Sequence, residues 1–197
     1  MTSRTWRGRV FIGTSADGKI AREDGTLAWL TDLPARDHRV DAPSAHPALV
    51  WETFFDTIDA IVMGRATYDS VLGFGEWPFG GRHVIVLTTR GDVDDARVRT
   101  AASIDDATRL LDALGAREAY VDGGRTIQSF LRADLVDELT ISVAPIVLGS
   151  GRSLFGELDA DVQLVVRGSH ATDDGLVRTT YDVVRAERAA QLPGAPL

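Results

Sequence analysis

Three short segments of the chain place glycine, threonine or arginine directly after an apolar run. They are residues 61–67 (IVMGRAT), 84–90 (VIVLTTR) and 120–127 (YVDGGRTI). Glycine lets a ligand approach the backbone closely, a guanidinium matches the oxygens of a phosphate, and the free amides of a helix N-terminus attract anions. The pattern therefore indicates phosphate binding, although each segment taken alone also fits a structural turn or a polar loop.

The Gly123-Gly124 pair gives the strongest of these signals, because a Gly-Gly turn between a strand and a helix can cradle a pyrophosphate. The hydroxyls and guanidinium of residues 88–90 could hold a further phosphate, such as the one that distinguishes NADPH from NADH. The candidate cofactor-binding residues are Gly64, Arg65, Thr67, Thr88, Thr89, Arg90, Gly123, Gly124, Arg125 and Thr126.

The sequence lacks the motifs of several other site chemistries. It contains neither a G-x-G-x-x-G dinucleotide fingerprint nor a P-loop, and no G-x-S-x-G motif marks a hydrolase serine. The absence of cysteine excludes thiolate zinc sites and iron–sulfur clusters, and the four histidines show no metal-ligand spacing. We therefore expect no metal site.

The composition is that of one globular domain. The 197 residues suffice for a single core, which we expect to span about residues 8–185, with a polar tail at 186–197. A net charge of −8 argues against partners such as nucleic acid or anionic membranes. No apolar run approaches the roughly 18 to 20 residues that span a bilayer, and no apolar signal region follows the N-terminus, so we expect a cytoplasmic protein.

Apolar runs alternate with stretches of helical periodicity along most of the chain. This order predicts an α/β fold with a mostly parallel sheet, covered by helices on both faces and completed by a C-terminal antiparallel hairpin. Ligands bind such sheets beyond the carboxyl ends of the strands. The predicted strands are residues 9–15, 60–63, 82–87, 119–121, 138–144, 162–170 and 176–184, and the predicted helices are 47–56, 66–72, 104–114 and 126–132.

Several of these motifs resemble those of dihydrofolate reductases. Residues 62–68 (VMGRATY), 81–88 (GRHVIVLT) and 121–124 (VDGG) are similar to three cofactor segments of that family. Two other stretches are more similar to the reductase domain of the bifunctional riboflavin-biosynthesis deaminase/reductase. They are residues 15–21 (SADGKIA), with Trp29 after them, and residues 122–149. The resemblance covers about residues 8–185 and does not include the zinc motif of the deaminase half.

The resemblance implies a dihydrofolate reductase-like three-layer fold with about eight strands, NADPH as cofactor, and hydride transfer to a carbonyl- or imine-like carbon. The implied substrate is 5-amino-6-(5-phosphoribosylamino)uracil, whose ring-opened ribose would be reduced. By motif position, Asp17, Gly18 and Lys19 would border the nicotinamide and the substrate, with Asp17 and Lys19 as catalytic candidates. Trp29 and Asp122 would contact the substrate, and Asp122 could accept hydrogen bonds from the pyrimidine.

One position departs from the dihydrofolate reductase pattern. In that family an acid on the helix before V-M-G-R holds the pterin ring, and counting back from Gly64 without gaps places Ala48 there. Glu52 follows one turn later, and we expect it on the same side of the helix as Ala48. Glu52 is therefore a catalytic candidate, although a solvated glutamate on a polar helix face is an equally good interpretation.

Two alternative functions stay open beside the riboflavin-type reductase. The same fold could reduce a pterin or another small carbonyl compound, or it could bind NADPH without turnover. We also expect a homodimer, because residues 136–147 form a long, largely apolar segment near the end of the sheet. The candidates for holding a substrate phosphate are Lys19, Arg22, Arg36, Arg39 and Arg152.

Overall fold

The computed structural model describes residues 4–31, 44–91 and 93–184. Within this part of the chain, eight strands form one sheet in the order β5-β4-β3-β6-β1-β7-β10-β9. The strands are β1 (Arg7–Ser15), β3 (Ala60–Gly64), β4 (His83–Leu87), β5 (Val98–Ala101), β6 (Glu118–Asp122), β7 (Glu138–Ala144), β9 (Leu164–Ala171) and β10 (Val177–Val183), and a separate two-stranded ribbon pairs β2 (Lys19–Ala21) with β8 (Arg152–Ser153). The described helices are α1 (Ala28–Thr31), α2 (Trp51–Thr57), α3 (Arg65–Leu72), α4 (Ile104–Ala113) and α5 (Gly124–Arg132).

The sheet confirms the predicted fold class. The six strands β5, β4, β3, β6, β1 and β7 run parallel to one another, whereas β10 is antiparallel to both β7 and β9. The central strands are buried on both faces, as in β3, where residues 60–63 are all fully buried. One core cluster packs α4 and α5 against one face, and a second packs α2 and α3 against the other. Helices on both faces explain why these strands have continuous apolar sequences.

Most predicted elements are present within two residues of their expected bounds, but four short ones were missed. The strands β2, β5 and β8 and the helix α1 contain two to four residues each. β5, whose sequence is VRTA, lies at the edge of the sheet and has only one fully buried residue. Such elements lack the apolar run or the helical period that makes longer elements visible in a sequence. The expected polar tail, residues 186–197, lies outside the described residues.

The helix expected to begin at Pro47 begins instead at Trp51, so the predicted start is wrong by four residues. Residues 47–49 are extended along the terminal hairpin. The backbone N–H of Ala48 donates to His170 Nδ1 at 3.0 Å, and that of Leu49 donates to Thr180 Oγ1 at 2.9 Å. Ala48 therefore precedes α2 and does not share a helix face with Glu52. Hydrogen bonds to residues more than 120 positions away set this boundary.

Residues 136–147, the apolar segment on which the expected homodimer was based, do not form an unpaired edge of the sheet. β7 lies between β1 and β10 and is paired along its length on both sides. The outer strand at this end of the sheet is β9, in which Val165 is 53% exposed and Val166 is 61% exposed. The unpaired edge is therefore about 20 residues further along the chain than the sequence indicated.

No helix in the described part of the chain is long and apolar enough to cross a membrane.

A buried ion pair joins β1 and β7 at their amino ends. Arg9 and Glu138 are adjacent partners in the parallel pairing, and Arg9 Nε donates to Glu138 Oε1 at 2.7 Å. Both side chains are almost fully buried, and Arg167 reaches the second carboxylate oxygen from β9. Because a buried charge is costly unless it is paired, these contacts fix β1, β7 and β9 relative to one another.

Candidate active site

The turns after β3 and β6 lie side by side at the carboxyl edge of the sheet. β3 and β6 are neighbours, with Met63 opposite Asp122. A Cβ built at Gly64 would lie 3.1 Å from Thr126 Oγ1, and one built at Gly123 would clash with Thr67 Oγ1. Gly123 also has a φ of +87°, which residues with side chains rarely adopt. The two predicted phosphate segments therefore converge on one spot.

The helices that follow these two turns begin without a side-chain cap. α3 starts after Gly64 and α5 starts after Gly123, and neither N-cap position provides an accepting side chain. In α4, by contrast, Ser103 Oγ accepts a hydrogen bond from the backbone N–H of Asp106 at 3.1 Å. Uncapped first-turn amides and the positive end of the helix dipole favour a bound anion. The two helix starts are thus suited to hold neighbouring phosphate groups.

Charged and hydroxyl side chains surround this spot. Arg65 Nε contacts Asp69 Oδ1 at 2.8 Å, but both side chains are substantially exposed. A pair of this kind contributes only about 0.3 to 0.5 kcal/mol, so the guanidinium can exchange that partner for a ligand. Arg125 is exposed in the first turn of α5, whereas Thr126 is buried beside Gly64. Arg65, Arg125 and Thr126 therefore all lie at the two uncapped helix starts.

The segment after β4 lies one strand further along the same edge. β4 pairs with β3, so Thr88, Thr89 and Arg90 are about 5 Å, one strand spacing, beyond the first turn. The Thr88 hydroxyl accepts a hydrogen bond from the backbone N–H of Arg90 at 3.1 Å, which folds the segment into a tight turn. Thr89 and Arg90 are exposed. Thr89 and Arg90 are therefore placed to contact a group of the ligand that extends from the turn after β3 toward the end of β4.

Asp17 links two loops and is held as a carboxylate. Its oxygens accept hydrogen bonds from the Ser15 hydroxyl at 2.7 Å and from the backbone N–H groups of Leu148 at 3.0 Å and Gly149 at 2.9 Å. These bonds, led by the one from Leu148, lower the pKa of Asp17 to about 2. At neutral pH, Asp17 therefore fixes the turn after β1 against the 148–149 loop and cannot donate a proton.

The turn after β1 also reaches the start of α5. Gly18 has a φ of +74°, and Lys19 Nζ donates to Ser153 Oγ at 2.9 Å. A Cβ at Gly124 would lie 2.6 Å from Ile20 Cδ1, so the β2–β8 ribbon packs directly against the Gly-Gly turn. Residues 17–19 therefore border the same site as the cofactor candidates.

Asp122 is the last residue of β6 and directly precedes the Gly123-Gly124 turn. Its Oδ1 accepts a hydrogen bond from the N–H of Gly123 at 2.8 Å. Burial raises the pKa of Asp122, and this effect outweighs the hydrogen bond from the Gly123 N–H, which lowers it. Asp122 and Asp17 thus have opposite shifts, because the first is surrounded by protein and the second by water and amide donors.

An aromatic cluster adjoins Asp122 on the face of the sheet that carries α2. Trp51 lies 5.3 Å from Phe11 and 5.8 Å from Tyr120 between ring centroids, and the Tyr120 hydroxyl donates to the carbonyl oxygen of Phe11 at 3.1 Å. The Arg178 guanidinium lies 4.9 Å above the Phe11 ring. No sequence motif marks Phe11, Trp51, Tyr120 or Arg178 as site residues. Period-two alternation in β10 could have shown that Arg178 shares a face with buried Thr180.

The remaining sequence candidates divide between packing and surface positions. Trp29 is buried against Ala144 and Leu176, and its Nε1 has no hydrogen-bond partner among the described residues. Glu52 is exposed on α2 and acts on Arg178 only through its charge. Arg152 Nη2 donates to the Glu23 carbonyl oxygen at 3.2 Å. Arg36 and Arg39 lie outside the described residues.

A cavity of about 310 Å³ lies elsewhere in the fold, where β4 and β5 begin. Its lining includes Trp77, Arg82, His83, Arg97 and Arg99. Arg82 is bonded to backbone carbonyl oxygens and Arg97 to Asp95. Open parallel sheets bind ligands at the carboxyl ends of their strands, and the uncapped helix starts are there. We therefore assign the site to the carboxyl edge and not to this cavity.

Comparisons with known proteins agree with this geometry. Residues 8–178 match the family model for the RibD C-terminal domain. The chain is 33% identical over 155 residues to the riboflavin biosynthesis protein RibD of Corynebacterium ammoniagenes, covering 70% of this chain and 42% of that protein. The chain thus spans less than half the length of that relative.

Two solved structures are also similar to this chain. A protein from Shewanella sp. PV-4 that is assigned to riboflavin biosynthesis has a TM-score of 0.77 and 38% identity, covering 91% of this chain and 99% of that one. Dihydrofolate reductase from Enterococcus faecalis, solved with NADP(H), has a TM-score of 0.62 at 21% identity and covers 91% of this chain and 97% of its own, which shows a shared fold. The family match, the RibD relative and the Shewanella structure support a reductase-type function, and the chain belongs to the RibD C-terminal domain family.

Proposed function

We propose that this protein is an NADPH-dependent reductase whose cofactor phosphates bind where α3 and α5 begin. The observation that carries the proposal is the pair of uncapped, glycine-started helices on the adjacent strands β3 and β6. A side chain at Gly64, Gly123 or Gly124 would occupy the space between these turns and their neighbours, so the backbone there is kept open. Two helix dipoles directed at one spot suit a pyrophosphate.

Different side chains around the site bind different parts of the cofactor. Arg65, Arg125, Thr67 and Thr126 contact the pyrophosphate, while Thr88, Thr89 and Arg90 contact the adenosine 2′-phosphate from the end of β4. Asp17 holds the turn that carries Gly18 and Lys19 against the nicotinamide side of the site. When bound, NADPH supplies the hydride, and the protein contributes orientation and electrostatics.

For the substrate, we propose 5-amino-6-(5-phosphoribosylamino)uracil, on the basis of the family to which the chain belongs. Asp122 contacts the substrate from the end of β6, and its raised pKa lets it hold a proton for hydrogen bonding at a higher pH than an exposed aspartate. Lys19, the only lysine of the sequence, remains a catalytic candidate with Asp17 as its positioning partner. Gly18 and Trp29 complete the substrate side.

The proposal is tested by following NADPH absorbance with the ribosylaminouracil phosphate and, separately, with dihydrofolate. We expect turnover with the first and weak or no turnover with the second, because Glu52 is exposed and Ala48 cannot protonate a ring. Asp122→Asn should lower turnover of the ribosylaminouracil phosphate, while the exposed control Asp112→Asn should not. Vigorous turnover of dihydrofolate alone would favour the pterin alternative. NADPH binding without turnover of either compound would favour a non-catalytic module.

We expect tighter binding of NADPH than of NADH. A charge-assisted hydrogen bond to the 2′-phosphate is worth roughly 1.5 to 3 kcal/mol, or about one to two decades in affinity. Titration of the two cofactors by fluorescence should show this difference, and Arg90→Gln should reduce it. Equal dissociation constants for NADPH and NADH in the unaltered protein would contradict the placement of residues 88–90.

We expect Gly124→Val to abolish cofactor binding while the fold persists. The new Cβ would meet the flexible end of Ile20, 2.6 Å away, which can move, but the branched side chain would fill the approach to the α5 amides. Gly81→Val is the matched control, because its Cβ would meet no atom within 4 Å. Circular dichroism checks the fold and NADPH titration checks binding. The cradle is misplaced if Gly124→Val binds NADPH as well as Gly81→Val does.

We also propose that the protein is a homodimer that pairs through the outer strand β9. Leu164, Val165 and Val166 are exposed along this strand, and an open apolar edge is a liability that association removes. Sedimentation equilibrium at micromolar concentration should give twice the chain mass, and Val165→Lys should shift the protein toward the monomer. A monomeric mass for the unaltered protein would contradict the proposal.

A further inference from the structure

Arg178 is held in place from both sides of its guanidinium group. In the antiparallel pairing of β10 with β7 it lies opposite Ser142, and its Nε donates to Ser142 Oγ at 2.8 Å. From there the side chain crosses β7 and lies over the ring of Phe11 on β1, 4.9 Å from the ring centroid. A side chain fixed by both a hydrogen bond and a cation–π contact has a defined position before any ligand arrives.

Unlike the buried Arg9, Arg178 has no carboxylate partner among the described residues. Arg9 is paired with Glu138, whereas no carboxylate of the described residues lies within 4.0 Å of the Arg178 guanidinium. Burial lowers the pKa of Arg178, and the charges of Asp174 and Glu52, both exposed, only partly offset that effect. Partly buried charges are usually paired, so this cation is suited to an anionic ligand.

Arg178 and Asp122 mark the two ends of one face of the sheet. The strands β6, β1, β7 and β10 are consecutive, so β6 and β10 are about 14 Å apart, or three strand spacings. Phe11 lies between them, and Trp51 stands beside it at 5.3 Å. One end of this face carries the carboxyl group at the candidate reaction site, the middle is aromatic, and the far end carries the cation.

We propose that Arg178 determines substrate specificity by binding an anionic oxygen, of a carboxylate or a phosphate, at the end of the substrate away from the hydride-accepting carbon. The inference rests on the proposed function, since it takes this face as the substrate pocket of the reductase. The two Nη atoms, which make no hydrogen bond to the described residues, form the prongs of the fork. The bound ligand would therefore carry an anionic group at the end that lies away from Asp122.

The test uses small probes and needs no cofactor. Binding of benzoate, phenyl phosphate and the neutral isostere benzamide is measured by calorimetry or ligand-observed NMR on the unaltered protein, Arg178→Met, Arg178→Lys and the control Arg99→Met, an exposed arginine of β5. We expect at least a tenfold preference for one of the two anions over benzamide. Arg178→Met should abolish this preference, Arg178→Lys should reduce it severalfold because lysine lacks the fork, and Arg99→Met should leave it unchanged.

The outcomes separate this inference from the proposed function. If the unaltered protein binds both anions no better than benzamide, or if Arg178→Met keeps the preference, the role of Arg178 is overturned whatever the cofactor does. Whichever anion binds more tightly identifies a carboxylate or a phosphate as the recognised group. If the unaltered protein neither binds NADPH nor shows turnover, the proposed function is overturned, but a measured preference for the anion would still support the role of Arg178. If Arg178→Met does not fold, Arg178→Lys and Ser142→Ala provide the same test.

Discussion

At Gly123 the backbone turns through a φ of +87° directly against the hydroxyl of Thr67, where a Cβ has no room. This close approach joins the turn after β6 to the first turn of α3, and it sets where both helices begin. A larger residue at position 123 would have to leave the left-handed region and push α3 away, which would separate the two sets of free amides. The candidate phosphate site therefore depends on one glycine and on the pairing of two neighbouring strands.

The two ends of the sheet differ in how completely their polar groups are satisfied. At the amino end, Arg9, Glu138 and Arg167 form a buried ion network that fixes the strands in register. At the carboxyl end, helix amides are uncapped and Arg178 has no carboxylate partner among the described residues. Groups left unsatisfied by the fold are the ones that a ligand can satisfy, and proteins accept this cost mainly at functional sites. The rigid amino end allows the open carboxyl end to keep its geometry.

Asp17 and Asp122 show how position alone gives the same side chain different properties. Asp17 receives three hydrogen bonds at the surface, which lower its pKa to about 2. Asp122 is enclosed at the end of β6, and burial raises its pKa. Folding stability gained from Asp17 is present above its ordinary pKa of 3.8 and is lost as the pH falls toward 2, so this link between loops persists at neutral pH. Two carboxyl groups whose pKa values are shifted in opposite directions can therefore lie in one site.

Sequence patterns alone predict the order of the long elements, the mostly parallel fold class and the glycine turns that mark the candidate phosphate site. These features are local, because periodicity and turn chemistry act over a few residues. Tertiary structure alone decided that Ala48 precedes α2, that β7 is internal, and that Arg178 reaches Phe11 from a strand 167 positions away. These facts depend on which strands pair, and strand order is set by contacts between distant segments that no local pattern encodes.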